Sequence, residues 1–250
     1  MTNLTYKSPA ERITKLNEVI NGLEDSMIYF AQLIEDLNKY ANEAGRDSKE
    51  GDNTDEEKAA LLEMQSVVSQ TVDILEFGLL LNLILLDMCI VNLQYEKSQT
   101  LYERQTSLKH GVIIINESYK RLYNFPNKGR GKSMIFKIVK PLVCDKPLEK
   151  ATFDKIVARL DNFLQYYFLN IKDRRNLSAH YDIKPSQNFM NISSLESGYV
   201  LCRFEEYYKI IFELFSLFNS LITEQVKPDF DNLLSKLQAL LESKNKQLSV

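Results

Sequence analysis

Hydrophobic residues recur along this chain at alternating spacings of three and four, the period of an α-helix rather than a strand. The first run is Ile13, Leu16, Ile20, Leu23, Met27, Phe30, Ile34, Leu37 and Ala41. It makes a sustained heptad seam, opened by the capping box Ser8-Pro9-Ala10-Glu11, and predicts a helix over 9–44. Such a seam suits a bundle helix packing on its own chain, or a dimer contact. Residues 45–53 are polar and predict a loop. Thr54-Asp55-Glu56-Glu57 opens a second helix, expected to run to about Leu108 and apolar almost all round from Ile74 to Leu93. Glu76, Asn82, Asp87 and Asn92 interrupt that stretch, so a central helix buried by several neighbours is expected rather than a membrane span. Lys109-His110-Gly111 has the chemistry of a helix carboxyl end, and another helix is expected over Val112–Tyr123.

Residues 134–143 are ambiguous between a short helix and an extended segment. Pro147 and Thr152 bracket the start of a helix carrying Phe153, Ile156, Val157, Leu160, Phe163, Leu164, Tyr167 and Ile171, which leads directly into Arg174 and Arg175. Ile183-Lys184-Pro185 stops it. Ser193-Ser194-Leu195-Glu196 opens a further helix bearing Val200, Phe204, Tyr207, Tyr208, Ile211, Leu214, Phe215, Phe218, Leu221 and Ile222. Its aromatics read as core, with stacking on a nucleobase the alternative for Tyr207 or Tyr208. After Lys227-Pro228 comes a last amphipathic segment, Phe230, Leu233, Leu234, Leu237, Leu240 and Leu241, which caps the bundle or docks on a partner. The expected fold is all-α: an up-and-down bundle of long antiparallel helices forming one domain over 1–227. Its core covers about 55–226 with helix 9–44 packed on it, and 228–250 add a C-terminal helix and tail.

Composition narrows the function. A chain of 250 residues with 44% hydrophobic and 26% charged residues is globular, and a net charge of −3 excludes a general nucleic-acid sponge. RNA contact would need local basic patches. Cys89, Cys144 and Cys202 are far apart and in apolar settings, which suits buried free thiols in a reducing compartment. The polar start, Met1 to Ser8, lacks a signal-peptide core, so a cytoplasmic protein is expected. The stretch Pro126-Asn127-Lys128-Gly129-Arg130-Gly131-Lys132-Ser133 ends like a phosphate-binding loop. It has Pro126 where the first Gly belongs, and a helical pattern rather than a strand before it. A basic loop, continued by Lys137 and Lys140, either holds phosphates or is merely solvated. No paired carboxylates, nucleophile elbow or metal-ligand spacing is present, so no cofactor or metal is expected.

The most informative stretch is Asp173-Arg174-Arg175-Asn176-Leu177-Ser178-Ala179-His180-Tyr181-Asp182. On a helix Asn176 and His180 share a face, and the Arg175 fork can swing onto it. A bidentate cation beside an imidazole suits a phosphodiester. Arg175-Asn176-Leu177-Ser178-Ala179-His180 resembles the R-x4-6-H signature of HEPN domains, including the polar residue after the Arg. The looser likeness, a long amphipathic helix on either side, covers about 150–226. That resemblance implies a helical bundle and a metal-independent endoribonuclease, often a toxin or anti-phage effector. It implies Arg175, Asn176 and His180 as catalytic residues, and a homodimer that joins two copies of the motif. Arg174, Lys172, Lys128, Arg130 and Lys132 are secondary phosphate contacts in this reading. An antitoxin or defence partner is then expected, with no membrane association. The alternatives are a non-catalytic HEPN-like module that binds a partner protein or nucleotide ligand, and a helical scaffold in which Arg175 pairs with Asp182 and His180 closes the helix.

Overall fold

In the computed structural model, the structure describes residues 8–50, 54–124, 130–165 and 197–226. Six α-helices account for most of these residues, and no strand occurs among them. They are α1 (Pro9–Glu50), α2 (Asp55–Lys97), α3 (Leu101–Leu122), the single turn α4 (Lys140–Leu142), α5 (Pro147–Phe163) and α6 (Ser197–Leu221). The expected all-α helical bundle is what the chain forms.

Two boundaries differ from the sequence expectation. α1 continues through the polar 45–50 stretch to Glu50, because nothing in Gly45-Arg46-Asp47-Ser48-Lys49-Glu50 forbids helical backbone and Gly45 approaches Gln65 of α2. The second helix stops at Lys97 instead of about Leu108. A capping box closes the break: Thr100 Oγ1 accepts from the Glu103 N–H at 3.2 Å, and Glu103 Oε2 accepts from the Thr100 N–H at 2.9 Å. Lys109-His110-Gly111 therefore lies inside α3 and ends nothing. Gly111 is there for packing: a Cβ would sit 3.0 Å from the Phe204 ring of α6. α3 ends at Tyr123–Asn124, where Asn124 takes a left-handed φ of 62°, a conformation asparagine tolerates.

The ambiguous 134–143 stretch is helical. A wide π turn, Ile135–Val139, runs into α4, and Pro141, which has no N–H to give to the preceding turn, accounts for the loosened pattern. A second π turn, Ile222–Val226, follows α6 two residues before Pro228.

α1 and α2 form an antiparallel hairpin: Arg12 pairs with Glu96 at 3.1 Å near one end, and Phe30 meets Gly78 in the middle. α2 then packs on α3 and α6 as well. Its stretch Leu61–Lys97 is long and apolar enough to cross a bilayer by length and composition. Phe77, Leu81, Leu85, Met88 and Cys89 are nonetheless sealed inside the bundle, as expected of a central helix. One large core joins the first half of α1, through Leu23, with α2, α3, α5, α6 and the Ile135–Val139 turn, and a smaller one fills the outer half of the hairpin. The cysteines correct the expectation of buried thiols. Cys89 is buried, whereas Cys144 and Cys202 are exposed.

Candidate functional site

Arg174, Arg175, Asn176 and His180, together with Lys172 and Lys128, lie outside the described residues. In chain order the motif falls on the connection between α5 and α6, and those two helices are described closely. They run antiparallel in a fixed register. Lys146 Nζ donates to Glu224 Oε2 at 2.7 Å, Arg159 pairs with Glu213, and the rings of Phe163 and Tyr207 lie 5.2 Å apart. The Lys146 ammonium, by hydrogen bond and charge, and the Ser220 hydroxyl hold the Glu224 carboxyl below its usual range.

The C-terminal end of α5 is tied to α3 by polar links through the core. Tyr119 donates its hydroxyl to the Leu160 carbonyl at 3.3 Å, and Tyr123 donates to Asp161 Oδ1 at 2.8 Å. The Ser118 and Tyr207 hydroxyls pair at 2.9 Å between α3 and α6. Burial pushes the Tyr207 phenol well above its ordinary range, so it stays protonated. Tyr207 is fully buried and serves the core, which removes it as a nucleobase platform. Tyr208 is half-buried, stacks on Phe212 and accepts at its hydroxyl oxygen from the Cys89 thiol at 3.9 Å. These residues hold in place the helix from which the chain departs towards the motif.

The basic stretch is described from Arg130 on. Arg130 and Lys132 occupy a 3₁₀ turn that packs against the following π turn, with helices rather than a strand on either side, so no phosphate-binding loop of the strand–helix type forms. Lys132, Lys137 and Lys140 are exposed. Lys140 Nζ lies 5.7 Å from the centroid of the half-buried Phe136 ring, a cation–π distance. Phe136 in turn packs near Tyr123 (6.0 Å) and Phe153 (5.9 Å), which fixes this basic turn to α3 and α5. Sequence reasoning missed Phe136. An aromatic among lysines was the available signal, and only packing distinguishes it from an ordinary core residue. His110 is exposed on α3, away from any terminus. Among the described residues no group of His, Cys, Asp and Glu is arranged to hold a metal ion. No protein-family model, curated protein or solved structure matches this chain.

Proposed function

We propose that this protein is a metal-independent endoribonuclease of HEPN type that cleaves single-stranded RNA, a toxin or anti-phage effector in setting. The observation that carries the reading is the Arg175–His180 motif on the link between two long antiparallel helices locked in register by Lys146–Glu224, Arg159–Glu213 and Phe163–Tyr207. A rigid frame of that kind is what a positioned acid–base pair requires. The exposed Lys132, Lys137 and Lys140 add local positive charge in a chain that is acidic overall.

In the proposed reaction the ribose 2′-oxygen attacks the adjacent phosphorus. The P–O2′ bond forms and the P–O5′ bond breaks, leaving a 2′,3′-cyclic phosphate and a 5′-hydroxyl. The 2′-hydroxyl proton passes to a base, and the departing 5′-oxygen receives one from an acid. His180 serves as one of these groups, and Arg175 neutralises the phosphorane oxygens with paired N–H donors. Asn176 orients His180 or binds a phosphate oxygen. One imidazole cannot carry both transfers at once, so a homodimer supplies the second, and Arg174, Lys172, Lys128, Arg130 and Lys132 grip the flanking phosphates.

The test is RNA degradation by the purified protein in EDTA. Wild type is expected to cut, while Arg175→Ala and His180→Ala, with unchanged circular dichroism, are expected to lose at least a hundredfold. Equal activity in the variants would refute the assignment. A second reading is a non-catalytic HEPN-like module that binds a protein partner, for which Leu101 (71%) and Leu148 (81%), large apolar side chains exposed on the described surface, are the candidate contacts. In that case wild type is inert on RNA and Leu101→Glu or Leu148→Glu, rather than His180→Ala, abolishes partner binding.

A further inference from the structure

One acid-free stretch of sequence concentrates positive charge in this chain. From Ser118 to Cys144 there is no Asp or Glu, against seven Lys and Arg. All 34 acidic residues lie elsewhere, beside only 24 of the 31 basic ones. The molecule is therefore acidic with one basic stretch, and its field turns polyanions away from the rest of the surface and towards that stretch.

Packing fixes the middle of this stretch. Ile135, Val139 and Val143 are buried in the main core, so the π turn and α4 are anchored from below. The Lys137 N–H donates to the Ser133 carbonyl at 3.0 Å, which ties the turn carrying Lys132 to the turn carrying Lys137. Lys132, Lys137 and Lys140 stay exposed. A helical path from the first to the last is about 12 Å long. Successive lysines are thus spaced on the order of the Debye length, about 8 Å at physiological salt, and their fields reinforce one another. None of the three has a carboxylate within ion-pair reach among the described residues, whereas Arg12, Lys39, Lys146, Arg159 and Arg203 each hold one. Neighbouring cations without counter-ions repel one another until an anion neutralises them. The surface is not built for a bilayer: no exposed large apolar side chain lies between Tyr102 and Leu148 among the described residues, so nothing here would insert among acyl chains. Lysine ammoniums meet phosphate oxygens as point charges, and contacts of that kind position a strand without reading its bases.

We propose that the Lys132–Lys140 turn is an exosite for the phosphate backbone of single-stranded nucleic acid, indifferent to the sugar, so that RNA and DNA bind alike. The choice of nucleic acid among polyanions rests on the ribonuclease reading. The exosite adds to it that RNA is selected by the 2′-hydroxyl in the reaction and not in binding.

Fluorescence anisotropy with labelled 20-nucleotide oligo(dT) and 2′-O-methyl oligo(U), neither of which can be cut by 2′-oxygen attack, tests this on the full chain. Wild type is expected to bind the two within about threefold of each other. Lys132→Gln/Lys137→Gln/Lys140→Gln is expected to weaken both at least tenfold at low salt. It should also flatten the slope of log affinity against log salt by about 2, the share of three phosphate contacts on a single strand. Lys39→Gln/Lys97→Gln/Lys209→Gln removes the same charge from exposed positions on three other helices and should leave the slope unchanged. An unaltered slope in the first variant, an equal loss in the second, or binding of the methylated RNA at least tenfold tighter than the DNA would overturn the exosite. Displacement by oligoglutamate of equal charge as readily as by oligo(dT) would make the surface one for an acidic protein and overturn it too. The ribonuclease reading fails separately. If wild type cuts RNA and the first variant binds and cuts equally, the exosite falls alone; if wild type binds through these lysines and never cuts, the exosite stands and the nuclease falls.

Discussion

Gly22 and Gly78 both sit inside long helices, and their surroundings predict opposite consequences for the same change. Nothing lies within 4 Å of a Cβ at Gly22, so Gly22→Ala should stabilise the protein by about 0.5–1 kcal/mol through reduced backbone entropy. At Gly78 the added carbon would fall 2.8 Å from the Phe218 ring and 2.9 Å from the Phe30 ring, where three helices converge. Gly78→Ala should destabilise by about 1–3 kcal/mol as those rings are forced apart. Urea denaturation of the two variants checks both signs. A third residue gives a pH signature. Asp87 lies on the outward side of α2 near the exposed Leu83, and partial burial raises its carboxyl above the ordinary range. An acid whose folded pKa is raised loses stability as pH climbs through that range, because the folded state resists ionising it. Asp87→Asn should therefore raise Tm at neutral pH and lose that advantage in acid, as thermal melts at pH 4 and pH 7 would record. None of these three environments has a signature in the sequence, where Gly22 and Gly78 look alike and Asp87 is one charge in an apolar run. Which atoms meet a residue depends on partners more than a hundred positions away, such as Phe218.

At the scale of elements, the start of α3 depends on the Thr100–Glu103 box, which ends what would otherwise read as one helix from Thr54 to Leu108. Thr100→Ala should cost about 1 kcal/mol and fray the first turn of α3. Glu103 gives the pH dependence. Hydrogen bonds from the Thr100 and Gln99 N–H groups hold its carboxyl below the usual range. A depressed folded pKa contributes stability above the unfolded value of about 4.3 and loses it as pH falls through the lowered one. The Tm difference between wild type and Glu103→Gln should thus be present at pH 7 and shrink below pH 4, and a constant difference would contradict the box. The helices themselves were legible because a 3.6-residue apolar period is a local property. The break at 98–100 was also written in the sequence, as Thr100-x-x-Glu103, but the apolar run on both sides masked it. Gly45 and Gly111 carry the local signature of helix stops, whereas packing against Gln65 and Phe204 keeps both inside helices.

For the molecule as a whole, α3, α5 and α6 make a cross-linked frame, and in chain order the connection from α5 to α6 carries Arg175, Asn176 and His180. The sequence supplied the chemistry of that connection, a guanidinium and an imidazole five positions apart. It could not supply the frame, since Ser118–Tyr207, Tyr123–Asp161 and Arg159–Glu213 join residues 89, 38 and 54 positions apart. The Arg175–His180 motif lies outside the described residues, and its proposed reaction is to be read from the products. The most direct measurement is the end chemistry of single-stranded RNA incubated with wild-type protein in EDTA, by mass spectrometry of the fragments. Cleavage by the proposed route yields 2′,3′-cyclic phosphate and 5′-hydroxyl ends, and none from Arg175→Ala or His180→Ala. Fragments with 5′-phosphate and 3′-hydroxyl ends, a requirement for a divalent metal, or identical products from the variants would contradict it.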